Sequence, residues 1–220
     1  NVARDVFDRA VDAVGIDFGA QEIWAKYIDF EVANGDFQKV IRLFAKALSI
    51  PMNGLESVWN KYRIFVQGRP LEDVLTSDEL TAHRAKAAAV STSAGPDAAK
   101  RLEVETINAV IDKHELIYKK TLAQIEKRAS YEKFALSRSY FHVMPVSPTL
   151  LSNWRSYLRW EEREEEGDGN KESCQQQCQK DGSCSRTRQL YERCLIACCA
   201  YQEFWFMYVD YLQRHGDTDA

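Results

Sequence analysis

Turn residues are scarce in this 220-residue chain, which has 10 Gly and 5 Pro. That scarcity argues against an all-β sandwich or barrel, whose short strands need turn chemistry about every 8–12 residues. Long apolar runs are missing as well, and no stretch approaches the ~18 consecutive apolar residues of a membrane span. The start, Asn1-Val2-Ala3-Arg4-Asp5, has neither an initiator Met nor the apolar stretch of a signal peptide. There is no basic excess: 29 Lys and Arg against 33 Asp and Glu give a formal charge of −4, the wrong sign for broad capture of nucleic acid. No Gly-rich phosphate loop, His-Glu-x-x-His or nucleophile elbow occurs, and the four histidines (83, 114, 142, 215) are dispersed. These absences disfavour a nucleotide-binding protein, a zinc protease and a serine hydrolase.

What the chain does have is rings and helix formers. Five Trp, ten Tyr and ten Phe sit in a composition that is 45% hydrophobic, enough for a real core and too much for a disordered chain. With so few turns, the Ala, Leu, Glu, Lys, Arg and Gln content predicts long helices and an all-α fold.

The aromatic residues recur. Trp24-Ala-Lys-Tyr27-Ile-Asp-Phe30-Glu31 matches Trp154-Arg-Ser-Tyr157-Leu-Arg-Trp160-Glu161, then Trp205-Phe-Met-Tyr208-Val-Asp-Tyr211-Leu212, and more loosely Trp59-Asn-Lys-Tyr62-Arg-Ile-Phe65-Val66. At 3.6 residues per turn each set falls on one stripe that something must cover. Gly35-Asp36 and Gly216-Asp217 follow their tryptophans at equal spacing, where a left-handed C-cap stops a helix. A second unit alternates with the first: Phe7-Asp-Arg-Ala10-Val11, Phe44-Ala-Lys-Ala47-Leu48 and Tyr191-Glu-Arg-Cys194-Leu195. Its small residue suits a close helix crossing. Trp24 and Trp59 are 35 residues apart, and deleting a 17-residue insert leaves 34 between Trp154 and Trp205. Two helices per period of this length predict a helical solenoid.

The A pattern Trp-x-x-Tyr-x-x-(aromatic)-Glu, the Gly-Asp joint and the B pattern (Tyr/Phe)-(Glu/Asp)-Arg-(small)-(aliphatic) resemble half-a-tetratricopeptide (HAT) repeats. Ser139-Tyr-Phe-His-Val-Met-Pro145, followed by Leu151-Ser-Asn-Trp154 and by Tyr191-Glu-Arg-Cys-Leu-Ile-Ala-Cys198, is similar to the HAT proteins of the U1 small nuclear ribonucleoprotein. The resemblance implies a right-handed α-α superhelix of antiparallel helix pairs, no enzymatic activity, no cofactor and a nuclear location. It also implies a scaffold role in pre-mRNA splicing, bridging U1 proteins during 5′ splice-site recognition, and dimerisation with itself or a related HAT protein through repeats toward the C-terminal end. Trp24, Tyr27, Phe44, Trp59, Tyr62, Trp154, Tyr157, Tyr191, Trp205 and Tyr208 are expected to form the repeat cores.

Along the chain, residues 1–66 read as HAT repeats with the first incomplete: residues 2–14 form a B helix without its A helix. Residues 67–147 read as an irregular repeat, in which Ser77 opens a helix running to about Val90, 91–96 is a linker, and one long helix runs from Ala98 to about Ala129. Residues 148–220 are again HAT repeats, with a Cys-containing polar insert at about 167–184 and an incomplete last repeat. The whole is expected to be a window of a longer solenoid.

Four candidate sites remain. Cys174, Cys178 and Cys184 are the best metal ligands on offer, but they lack a paired Cys-x-x-Cys and a nearby His, so a polar loop is favoured. Cys194, Cys198 and Cys199 read as reduced, buried thiols of an intracellular protein. Glu31 and Glu161 recur at one repeat position, which predicts pairing with a basic group or amide of the adjacent B helix, with Arg42 a candidate in the first repeat, rather than acid/base catalysis. Lys119, Lys120, Lys127 and Arg128, with Lys133, give the long helix a basic side, a solvated face or a contact for RNA or an acidic partner; Glu161–Glu166 reads as a solvated helix end. Against the U1 scaffold stand two rival readings, a HAT scaffold of 3′-end cleavage and direct RNA binding through that basic side.

Overall fold

The computed structural model describes residues 2–94, 96–167 and 186–215. Among them are helices α1 (Val2–Val14), α2 (Gln21–Asn34), α3 (Phe37–Leu48), α4 (Leu55–Gln67), α5 (Leu71–Val74), α6 (Ser77–Ala94), α7 (Pro96–Ala135), α8 (Pro148–Gly167), α9 (Arg186–Cys198) and α10 (Gln202–Arg214), with a 3₁₀ turn at Leu136–Arg138. The fold is all-α. The chain divides into two compact units, one formed by Phe18–Ile125 and the other by Asn1–Asp17 with Glu126–Ala220.

In the first unit α2, α3 and α4 pack as consecutive neighbours, and α5 returns onto α3. The Gly-Asp joint explains how two helices meet with almost no loop. Gly35 is left-handed (φ 77°) and its N–H reaches the Val32 carbonyl, ending α2; Asp36 then caps α3 by accepting from the Lys39 N–H at 3.2 Å. One residue stops a helix and the next starts one. The corresponding Gly216-Asp217 lies outside the described residues. Gly54, also left-handed (φ 75°), opens α4.

Gln38 ties α3 to α5: its amide donates to the carbonyls of Leu75 at 2.6 Å and Asp73 at 3.3 Å, acceptors that the end of a four-residue helix leaves without helical partners. The start of α6 is a capping box one residue earlier than the expected Ser77. The Thr76 N–H donates to Glu79 (3.1 Å) and the Glu79 N–H to the Thr76 hydroxyl (3.4 Å). The Thr76 N–H and the Thr76 hydroxyl, which also donates to the carboxylate at 3.0 Å, hold the Glu79 carboxyl below the usual range. Helix α6 continues through Ala94, so the backbone of 91–94 is helical where a linker was expected.

Helix α7 has 40 residues and spans about 60 Å at 1.5 Å per residue, longer at both ends than the apolar spacing predicted. Of its apolar residues at helical spacing, Ile111 is buried while Val104 faces solvent. In the second unit α9 packs against both α8 and α10. Pro148 occupies the first position of α8, where its missing N–H costs nothing, and Ser147 caps the helix by accepting from the Leu150 N–H at 3.3 Å.

Candidate protein-interaction surface

The periodic aromatics meet as follows. In the first unit Trp24, Tyr27, Phe44, Trp59 and Tyr62 are all buried. Phe44 meets Tyr62 edge-on at 5.4 Å, and Trp59 stacks on Tyr62 at 5.6 Å and on Tyr118 of α7 at 5.1 Å. The Tyr62 hydroxyl lies 2.8 Å from His114 Nδ1, and burial pushes its pKa well up. His114 thus completes the core from α7 as a hydrogen-bonding partner. In the second unit Trp154, Tyr157 and Tyr191 are buried, with Tyr131 stacked flat on Tyr157 at 5.0 Å and Tyr208 on Tyr191 at 5.2 Å.

The basic residue two positions after the B-helix aromatics Phe44 and Tyr191 has a role its spacing alone did not disclose. Lys46 sits 5.9 Å over the Trp24 ring and Arg193 sits 5.7 Å over Trp154. Both repeats thus lay a cation on the A-helix tryptophan, a contact worth about 0.5–2 kcal/mol. Arg193 also joins Glu132 at 2.6 Å and Asp17 at 3.2 Å, and Glu132 accepts the Tyr157 hydroxyl at 2.7 Å. Burial and that carboxylate together push the Tyr157 pKa up.

The last repeat departs from expectation. Trp205 is 48% exposed and Tyr208 half-buried, whereas Phe204 and Tyr211 are buried. The buried positions of α2 (24, 27, 28, 31) therefore correspond to 204, 207, 208 and 211, one residue earlier than the Trp alignment. Phe204 fills the core slot with a ring free of polar atoms, and Trp205 turns outward, its indole N–H donating to the Cys199 carbonyl at 2.9 Å.

Glu31 and Glu161 are both buried, and each meets a cation: that of Glu31 comes from the adjacent B helix as expected, though it is not Arg42, and that of Glu161 comes from the preceding helix. Glu31 pairs with Lys39 at 3.0 Å; the Arg42 guanidinium donates instead to the Gln38 carbonyl. Glu161 is held from the preceding helix by Arg128, in a two-pronged pair at 3.1 and 2.7 Å that also lies 5.0 Å over Trp160. Position, not partner, is what recurs.

That pair changes the expected basic side of α7. Arg128 is buried, Lys127 pairs with Glu164 at 3.3 Å, and Lys119 pairs with Glu115 at 2.7 Å; Lys120 is exposed. The four residues do not make one open patch, because carboxylates of α8 and of the helix's own preceding turn meet three of them. The acidic run of α8 is likewise engaged rather than freely solvated. Glu162 accepts the Tyr191 hydroxyl and Arg214 (3.1 Å), and Glu165 accepts the Tyr211 hydroxyl (3.1 Å), which stitches α8 to α9 and α10.

Cys194 and Cys198 are buried and free, and burial pushes the Cys194 thiol up; Cys199 is exposed, contrary to expectation, one position beyond the buried stripe. Cys174, Cys178 and Cys184 lie outside the described residues. Among the described residues no group of three or more His, Cys, Asp or Glu is arranged for a metal.

Antiparallel helix pairs with a buried A-helix Trp-x-x-Tyr, a Gly-Asp joint and a B-helix cation on the tryptophan define a HAT-repeat protein. The family model described as PRP39 N-terminal HAT repeat matches residues 1–64, and that described as PRP39 C-terminal HAT repeat matches residues 126–220. The chain belongs to the HAT-repeat family in its PRP39 form. It is 29% identical to Pre-mRNA-processing factor 39 of Xenopus laevis over 97% of this chain and 33% of the relative. It is 28% identical to that of Homo sapiens over 98% and 32%, and 28% identical to that of Schizosaccharomyces pombe over 99% and 34%. The chain thus spans about a third of the length of the curated relatives it matches.

Proposed function

We propose that the protein is a non-enzymatic scaffold in pre-mRNA splicing, located in the nucleus, that bridges protein subunits of the U1 small nuclear ribonucleoprotein during 5′ splice-site recognition. The observation that carries this reading is the alignment of nearly the whole chain with proteins named for pre-mRNA processing, together with both PRP39 repeat models. The chemistry of the interior agrees with it. Glu31, Glu132 and Glu161, the buried carboxylates among the described residues, each face a cation and support the helix pairs, so they are committed to architecture. Stacked helix pairs offer an extended surface suited to binding other proteins.

A second HAT chain, a copy or a relative, is the expected dimer partner. The exposed face of α10, with Trp205, Phe206 and Val209, supports this assignment. Affinity purification of the intact tagged protein from nuclear extract tests the scaffold reading. U1 proteins in the eluate are expected; their absence, or recovery of 3′-end cleavage factors in their place, overturns it.

A further inference from the structure

Between α7 and α8 the second unit carries a loop whose side chains contradict its surroundings. Tyr140 is 80% exposed, Phe141 58%, Val143 89% and Met144 68%, so four large apolar residues within five positions stand in solvent. Single exposed apolar residues are ordinary, whereas a contiguous group of this kind on a soluble protein marks a contact surface.

The loop is nevertheless held in place. The Arg138 guanidinium bridges the carbonyls of His142 (2.8 Å) and Met144 (2.7 Å), and the Met144 N–H donates to His142 Nδ1 at 3.1 Å. At the far end the Val146 N–H donates to the Tyr201 hydroxyl at 2.8 Å, and the Val146 side chain is buried in the core of the unit. The backbone's polar groups are tied inward while the apolar side chains point out, an arrangement that lowers the ordering cost of binding.

We propose that residues 140–144 dock a short protein segment that combines large apolar side chains with carboxylates. The polarity of the partner follows from charge. From Lys133 to Trp160 the sequence contains no Asp or Glu, in a chain that is acidic overall. Arg138 spends its hydrogen bonds on the neutral carbonyls of His142 and Met144, so its positive charge stays beside the apolar group. Val143 and Met144 favour a peptide over single-stranded RNA, because base stacking needs flat rings whereas aliphatic and thioether groups adapt to apolar side chains. The acidic run of α8 in a second copy is already engaged with Lys127, Arg128 and Arg214. This surface deepens the scaffold reading and rests on it.

Panning of phage-displayed random 12-residue peptides on the 220-residue chain, with subtraction on the Tyr140→Ser/Val143→Ser/Met144→Ser variant, tests it without any splicing component, so a failure here leaves the purification result standing. Enriched peptides are expected to be net negative with at least two large apolar residues. The synthesised winner is expected to bind at least tenfold more weakly to the variant and to weaken as salt rises. Basic winners, no enrichment, or equal binding to both proteins overturns the proposal. So does binding of a labelled oligouridine, or self-association in sedimentation velocity, that the variant abolishes. If the triple variant loses helical circular dichroism, Val143→Ser alone carries the comparison, since its side chain touches solvent almost entirely.

Discussion

Removing the guanidinium of Arg128 separates the architectural use of charge from any RNA-binding use. The pair with Glu161 is two-pronged at 3.1 and 2.7 Å, and the side chains are only 8% and 4% exposed. Two unit charges about 3 Å apart attract by ~5 kcal/mol at an effective dielectric near 20. Breaking a buried pair from one side costs about 3–5 kcal/mol, because the other charge stays in place without a partner. Arg186 also acts electrostatically on Glu161, which moves the expectation for Arg128→Met to the lower end, about 3 kcal/mol. The double change Arg128→Met/Glu161→Met removes both charges and should lose less than Arg128→Met alone, with a coupling of about 2 kcal/mol or more. Lys127→Gln, at a solvent-facing pair, should move stability by about 1 kcal/mol or less. Urea unfolding followed by circular dichroism, comparing midpoints at constant slope, reads all three. A loss below about 1 kcal/mol for Arg128→Met, or simple additivity in the double variant, would refute the assignment of this pair to the core.

Three further outcomes follow from the same geometry. Trp24→Ala and Trp154→Ala should each lose about 3–5 kcal/mol in chemical denaturation, whereas Trp205→Ala, from a half-exposed ring, should lose well under half of that. Gly35→Ala meets no steric neighbour but forces a side chain to φ 77°, so it should cost about 1–2 kcal/mol by thermal unfolding, and Gly35→Asn less. The hydrogen bond from Arg155 holds the Glu203 carboxyl below its ordinary range, so its contribution is present above about pH 4.3, the unfolded value, and lost as pH falls through the folded value. The stability gap between the native chain and Glu203→Gln should therefore be flat near neutrality and close on acidification; a gap that widened in acid would contradict the sign.

The repeat architecture was legible because the same demand is made several times. A helix pair needs a stripe of rings on one helix, a small residue on the other and a stop-start joint between them, and Trp24, Ala47 and Gly35-Asp36 supply all three in local sequence. The partners of the charged residues were not legible in this way. Glu31 takes Lys39 and Glu161 takes Arg128, and which cation arrives depends on how the neighbouring helix lies, a tertiary fact with no fixed spacing. The register of α10 was hidden for a related reason: Phe204, Trp205 and Phe206 all offer rings, and periodicity cannot choose among three adjacent aromatics. The loop at 140–144 was visible in the sequence only as a family-like motif; its exposure appears once Arg138 and Tyr201 are seen to hold the backbone.

Affinity purification of the intact protein from nuclear extract, with and without ribonuclease, tests most directly the proposal that protein contacts join this chain to the U1 particle. A protein-bridging scaffold predicts that U1 proteins remain in the eluate after the RNA is digested. Their loss on digestion would contradict that claim and make RNA the link.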